Sequence, residues 1–235
     1  MISLLSYNIQ QGKRIRPIYN WIQSLSHFPD IFCLQEFPVS NIERLHEIVG
    51  SKYQSIFVSS IVRRKKVFGQ LTLYNSRLLS LIDSRAINLP KGMGESKIFL
   101  RNIHRKSLTT KFVTRKNESF TLNNVHLVFA GSNALRLHQL TSIVGSKEDS
   151  RHLVVGDYNY TSRLSNKPLF TTMATYGFTS ALSGSTHRLL GVPQQLDYVF
   201  YRNLERVTAK ILALRFSDHL PIMVQFNLDN LERSN

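Results

Sequence analysis

Short apolar runs separated by turn residues recur along the whole chain, and they come in two periods. In Phe68–Tyr74, Leu71 and Leu73 alternate with Thr72 and Tyr74, the pattern of a strand with one buried face. The same reading predicts strands over Ile2–Tyr7, Ile31–Leu34, Lys52–Val58, Arg77–Ile87, Lys97–Asn102, Thr109–Thr114, Phe120–Val128, Leu153–Val155, Gln195–Tyr201 and Pro221–Phe226. Elsewhere the spacing is three or four. Ile15, Ile18, Ile22 and Leu25 form one helical stripe, stopped by Phe28 and Pro29. Ile42, Leu45, Ile48 and Val49 form a second, Leu137, Leu140 and Val144 a third, and the segment from Asn166 to Gly177 a fourth.

The order is helix-linked strands first, a block of consecutive strands in the middle, then helices and strands again. Two stacked sheets with helices outside satisfy that order. The 235 residues suit one large domain. No linker, repeat or low-complexity tract interrupts it, so a single domain is expected over residues 1–228, with 229–235 as a frayed tail. The apolar run in "MISLLSYNIQ" is too short for a signal-peptide core or a membrane span. No later segment reaches membrane length, and a cytoplasmic monomer is expected. The one cysteine, Cys33, cannot form an intramolecular disulfide and reads as a small buried hydrophobe.

Charge changes the picture. Thirty Lys and Arg against fifteen Asp and Glu give a formal net charge of +15, which points to an anionic partner. Nucleic acid comes first and an anionic lipid surface second. Arg63, Arg64, Lys65 and Lys66 form the densest run, between two predicted strands; by default such a run is a solvated face, but it also suits substrate binding. Lys91, Lys97, Arg101, Arg105, Lys106, Lys111, Arg115 and Lys116 continue the positive charge through the middle strands. His104, Tyr74, Tyr158 and Tyr160 are candidates for stacking on bases, with Tyr158 better placed as core. Trp21, on an early helix, reads as packing.

The polar residues collect at strand ends. Asn8 closes "LLSYN", Gln35 and Glu36 close "DIFCLQE", and Asp157 and Asn159 close "HLVVGDYN". His126 falls in "NNVHLVF", Asp197 in "QQLDYVF", and Ser217, Asp218 and His219 in "RFSDHLP". Taken singly, each of these has a plain reading as a turn residue, a cap or a buried histidine. Asp197 is the exception, because a carboxylate between Leu196 and Val199 needs a cation, a donor or a metal. Together, six apolar strands that end in such groups could bring them to one rim of a sandwich.

The pieces "YN", "LQE", "GDYN", "LDYVF" and "SDHLP", in that order, resemble the endonuclease/exonuclease/phosphatase family with its DNase I-like fold, from Asn8 to His219 and beyond. "LDYVFYRNL" followed by "FSDHLP" looks like its small stand-alone bacterial members. The resemblance implies a four-layer αββα sandwich, two mostly antiparallel sheets face to face with helices outside. It also implies a metal-dependent phosphodiesterase or phosphatase, with Mg²⁺ or alternatively Mn²⁺ as cofactor. Glu36 matches the family's principal metal carboxylate, Asn8 its amide partner and Asp218 a carboxylate close to the metal. Asp157 matches the acid that positions or activates water, and Asn159 the amide that binds phosphoryl oxygens. Asp197 matches the partner of the final histidine, His219, and His126 matches a second histidine; Asp157 and His219 both remain candidates for the base. Arg136, on the helix after "HL", and Ser217 match substrate-side positions. Gln194, Gln195 and Leu196 stand where the abasic-site branch has a Trp-Arg pair, and "NNVHLVFAG" stands in place of its Asn-rich motif, so that specificity is not expected. A nuclease is the leading reading. A phospholipid or phosphoinositide phosphodiesterase or phosphatase is the alternative, and a catalytically silent nucleic-acid-binding module a further one.

Overall fold

The computed structural model describes residues 1–91, 102–145, 150–161, 166–189 and 192–228. Its strands are β1 (Ile2–Asn8), β2 (Ile31–Pro38), β3 (Tyr53–Arg63), β4 (Lys66–Asn75), β5 (Leu79–Asn88), β6 (Asn102–Ile103), β7 (Lys106–Thr114), β8 (Ser119–His126), β9 (His152–Asp157), β10 (Thr179–Ser180), β11 (His187–Leu189), β12 (Val192–Gln194), β13 (Asp197–Arg202), β14 (Glu205–Ile211) and β15 (Ile222–Asn227). The helices are α1 (Ile15–Ser24), α2 (Ile42–Val49), α3 (Asn133–Val144) and α4 (Lys167–Thr175).

Two sheets account for most strands. One has seven, in the order β14-β15-β1-β2-β4-β3-β6, and the other six, in the order β10-β13-β9-β8-β7-β5. Each is antiparallel apart from one central parallel pair, β1 with β2 and β8 with β9. The expected sandwich is therefore present.

Alternation along the strands sorts the apolar residues into three layers. Leu4, Ile31, Cys33 and Val224 of the first sheet meet Phe112, Leu122, Leu153, Val155 and Val199 of the second in a buried middle layer. On the outer face of the first sheet, Leu5, Tyr7, Phe32 and Leu71 pack on Ile18 and Ile22 of α1 and Leu45 of α2. On the outer face of the second, Val125, Val154, Tyr198 and Phe200 pack on Leu140 of α3 and Leu169 and Met173 of α4. Each fully buried side chain of this size contributes about 1.5–3 kcal/mol. Trp21 packs edge-on against Tyr7.

The sequence pattern and the structure part company in the last third. β14 pairs with β15 but was not predicted, because "ERVTAKI" is largely exposed on a sheet edge and only Ala209 and Ile211 turn, partly buried, toward the core. The β11–β12 hairpin is too short for periodicity to register. The strand expected from Gln195 begins at Asp197. Most of the strand expected over Lys97–Asn102, and the tail from 229, lie outside the described residues. Among the described residues no helix is long and apolar enough to cross a membrane.

Candidate active site

The middle layer of the sandwich is apolar at one end and polar at the other, on the same strand faces. Stepping by two, Leu4 leads to Ser6 and Asn8, and Ile31 to Cys33 and Gln35. Leu122 leads to Asn124 and His126, and Leu153 to Val155 and Asp157. β13 runs the other way and presents Asp197 at its start. Register then sets neighbours side by side: Asn8 opposite Gln35, His126 opposite Asp157, and Asp197 opposite Asp157. Below them Gln35 Nε2 donates to Asn124 Oδ1 across the sheets at 2.9 Å, and Asn124 Nδ2 to Leu71 O at 3.0 Å. These bonds link the two sheets through buried amides beneath the polar end of the layer.

Gly156 makes the close approach possible. At φ +138°, an added Cβ would lie 2.1 Å from the Val125 carbonyl oxygen of β8, so no side chain fits there.

Asp157 is held from several sides. Its Oδ2 accepts from Asn8 Nδ2 at 2.9 Å and its Oδ1 from the Asn159 backbone N–H at 2.8 Å. His126 Nε2 lies 3.5 Å and His219 Nε2 3.8 Å from Oδ2. His219 reaches the pocket from the loop before β15, with Nδ1 2.8 Å from Asp197 Oδ2. Asp197 is fixed in turn: its N–H and that of Leu196 both donate to the Thr186 hydroxyl, at 3.0 and 3.1 Å. Glu36 sits where the β2–β4 register shifts, at φ +53°. That bulge turns its carboxylate out of the alternation and to 3.7 Å from His126 Nε2. Gln10, Gln11, Glu36 and Asn159 all have positive φ and all line this pocket. Non-glycine strain of order 1–3 kcal/mol each is thus gathered at one rim.

Electrostatics follows from burial and crowding. Burial pushes the Glu36 carboxyl up, while Arg105 and His219 pull the other way. Burial also raises Asp157, against the charge of His219. Burial opposes charge on His219, but Asp197 and Asp157 overcome it and push the imidazole up to about 10. His126 is driven well down by burial, with Arg105 and His219 adding to the effect. Burial would raise Asp218, yet His187 and His219 bring it to about 2. The site is therefore a cluster of carboxylates around one imidazolium and one neutral imidazole.

Asn8, Glu36, His126, Asp157, Asn159, Asp218 and His219 line one pocket of about 200 Å³, and Asp197 stands behind His219. Other expected roles require correction. Arg136 is buried, and its guanidinium donates to the Val128 and Phe129 carbonyls and to Asn133 Oδ1; it shapes the 128–129 loop instead of facing substrate. The Ser217 hydroxyl donates to Asn8 O at 2.7 Å, so it ties the His219 loop to β1. The Asn159 amide already donates to Leu127 O and Asp157 Oδ2, which engages the donor expected for a phosphoryl oxygen. Tyr74, Tyr158 and Tyr160 are buried in core layers and cannot stack on a base, whereas Phe129 is exposed at the mouth. Arg63, Arg64, Lys65 and Lys66 form the exposed turn of the β3–β4 hairpin; β3 brings Ile61 into the pocket wall, a few residues below.

Several pocket residues were not singled out for the site from sequence. Gln10 donates to Asp218 Oδ2 at 2.6 Å, and Gln11 bonds the Glu36 carboxyl. Arg105 and His187 complete the wall. Two trios of histidine and carboxylate have ligand atoms within 4.8 Å of one another, His187–Asp218–His219 and Asp157–Asp197–His219. Glu36 belongs to neither, so a cation there would rely on oxygen donors: its own carboxylate, Asn8 Oδ1, Asp218 and water.

Comparison with known proteins agrees with this fold. A UPF0294 protein of Erwinia tasmaniensis is 30% identical over 76 residues, 32% of this chain and 28% of its own length. Another from Yersinia pseudotuberculosis is 28% identical over 130 residues, 54% of this chain and 50% of its own length. The matched stretches thus span half or less of these relatives. In overall fold the chain is similar to a functionally unknown conserved protein from Enterococcus faecalis V583, at TM-score 0.76 and 18% identity over 97% of this chain and 100% of that one. It is likewise similar to mannosyl-6-phosphatase Bt3783 of Bacteroides thetaiotaomicron, at 0.72 and 15% over 97% and 100%. A third likeness is ANGEL2, a 2′,3′-cyclic phosphatase in complex with adenosine-2′,3′-vanadate, at 0.75 and 14% over 96% and 95%. The Endonuclease/Exonuclease/phosphatase family model matches residues 5–219. The chain belongs to that family, whose members are hydrolases acting on phosphoester bonds.

Proposed function

We propose that this protein hydrolyses phosphodiester bonds of nucleic acid by in-line attack of water, with Mg²⁺ or Mn²⁺ held by Glu36, Asn8 and Asp218. The observation that carries the reading is Asp157, a buried carboxylate beside two imidazoles and fixed by two asparagines. The donor set at Glu36 fits a hard cation, because it is made of oxygens. Burial also pushes the Glu36 carboxyl up, a cost that a bound cation would offset. When bound, such an ion supplies a Lewis acid for a phosphoryl oxygen.

The chain's own groups divide the remaining work. Asp157 accepts the proton of the attacking water; its raised acid range supports that role. His219, its Nδ1 fixed on Asp197, directs Nε2–H at a non-bridging oxygen and stabilises the charge that develops there. His126, neutral and buried, stands across Asp157 from His219 and bonds the phosphate or the leaving oxygen. Asn8 and Asn159 keep Asp157 oriented.

Nucleic acid is favoured by the +15 charge, by the exposed Arg63–Lys66 turn above the pocket wall, and by the nucleoside ligand of ANGEL2. A second reading, a phosphatase acting on a small sugar phosphate, has support in the modest pocket volume and in the activity named for Bt3783. Purified protein with Mg²⁺ or Mn²⁺ should be offered duplex DNA, single-stranded DNA, RNA, phosphoinositides and mannose 6-phosphate, beside an Asp157→Asn variant. Metal-dependent cleavage of a nucleic acid that the variant lacks is expected. Turnover of the sugar phosphate alone would replace the first reading with the second, and no turnover on any substrate would defeat both.

A further inference from the structure

His187 has no part in the reaction just described, yet it stands at the same mouth. It opens β11, bridges backbone to backbone with His219, and packs its ring 4.6 Å from that imidazole, centroid to centroid. Its Nε2 lies 3.9 Å from Asp218 Oδ2, and His219 Nε2 lies 4.0 Å from Asp218 Oδ1. We propose that His187, Asp218 and His219 form a second cation site, selective for Zn²⁺, whose filling releases the Nε2 proton of His219 to solvent and takes that side chain away from the substrate.

Donor chemistry separates this site from the one at Glu36, although the two share Asp218. Two imidazoles and one carboxylate suit Zn²⁺ and match Mg²⁺ poorly. The spacing is close to what is needed, since ligand atoms of a tetrahedral Zn²⁺ stand about 3.3–3.4 Å apart. Small side-chain rotations would close the gap.

An independent observation points the same way. The His219 side chain is only 7% exposed. Among the described residues its Nε2 has carboxylate oxygens at 3.8 and 4.0 Å but no hydrogen-bond partner. It faces Asp157 and, within the trio, Asp218, and its other nitrogen is anchored on Asp197 at 2.8 Å. A carboxylate behind a histidine is the usual outer support of a zinc ligand. Asp218, 39% exposed, leaves a path for the ion and an open fourth position. The only thiol, Cys33, is buried and cannot compete.

Zinc binding depends on these side chains alone, while the inhibition it produces rests on the hydrolase reading above. The test uses the whole chain without Mg²⁺. Co²⁺ should give the visible absorption of a four-coordinate site, and Zn²⁺ should abolish it with a stoichiometry of one ion per chain. His187→Phe, which keeps the ring contact with His219, and His187→Ala should each weaken Zn²⁺ roughly tenfold to a hundredfold. With Mg²⁺ present, each variant, measured against its own zinc-free rate, should resist Zn²⁺ at concentrations that silence the parent. Parent-like zinc affinity in both variants overturns the site. Parent turnover that persists with the ion bound overturns the inhibition. A parent with no turnover on any phosphoester, but with His187-dependent zinc binding, upholds the site and rejects the hydrolase reading instead.

Discussion

Changing Asp157 to Asn keeps the shape of the side chain and removes a charge that burial already disfavours. Because the folded state holds this acid above its ordinary range, deleting the charge should leave the melting temperature equal or higher. Turnover should nevertheless fall by roughly 10²–10³, as for loss of a group that acts only in the transition state. Parallel thermal melts and rate measurements check both halves, and a variant that loses stability as well as rate would show a structural role. His219→Ala should lose rate similarly, with the buried Asp197 left without its partner and stability reduced. These residues were legible because Asp157 closes a strand whose apolar run is visible in the sequence and His219 stands just before another. His187, Gln10 and Gln11 were not. His187 sits in a three-residue strand without periodicity, and the two glutamines owe their position to positive φ, which side-chain chemistry does not announce.

Elements decide how those side chains are held. The β11–β12 hairpin was invisible in the sequence, yet Thr186, beside it and fully buried, accepts hydrogen bonds from Leu196 and Asp197. Thr186→Val keeps the volume and strands both buried N–H groups. It should cost about 2–6 kcal/mol, given roughly 1–3 kcal/mol for each of the two orphaned donors. Urea unfolding measures this, and a cost near zero would mean that the strand finds other acceptors. The β3–β4 hairpin offers a cleaner contrast. Arg64 and Lys65 have φ of 45° and 65°, the positive pair of a type I′ turn, which Asn-Gly prefers. Replacing Arg64-Lys65 by Asn-Gly should hold or raise stability while deleting two positive charges. If the turn meets a phosphate backbone, the slope of log affinity against log salt should shrink by about 2. An unchanged slope would place the polyanion elsewhere. The long strands and all four described helices followed from periodicity; β14 did not, since this exposed edge strand turns only Ala209 and Ile211, partly buried, toward the core.

At the scale of the molecule, two buried histidines, His152 at the start of β9 and His219 in the loop before β15, depart from the ordinary imidazole range in opposite directions, and together they shape stability against pH. His152 is bonded to Asn123 Oδ1, edge-on to Phe178 and close to Arg202. Burial, aided by Arg202, lowers it to about 4. The unfolded chain binds this proton more tightly than the native state, so the contribution of neutral His152 is complete above about pH 6.5 and disappears as pH falls toward 4. At about 1.4 kcal/mol for each pH unit between the unfolded and folded titrations, the loss is on the order of 3 kcal/mol. His219 works the other way. Its raised imidazole contributes fully below about pH 6.5 and loses that contribution as pH rises toward about 10. Unfolding free energies from urea titrations should therefore pass through a maximum between the two windows. In His152→Gln, whose amide can still donate to Asn123, the acid limb should flatten while the alkaline limb stays. If the variant keeps the full acid loss, protonation of buried His126 or of Asp218, both held below their ordinary ranges, and not of His152, drives the acid transition.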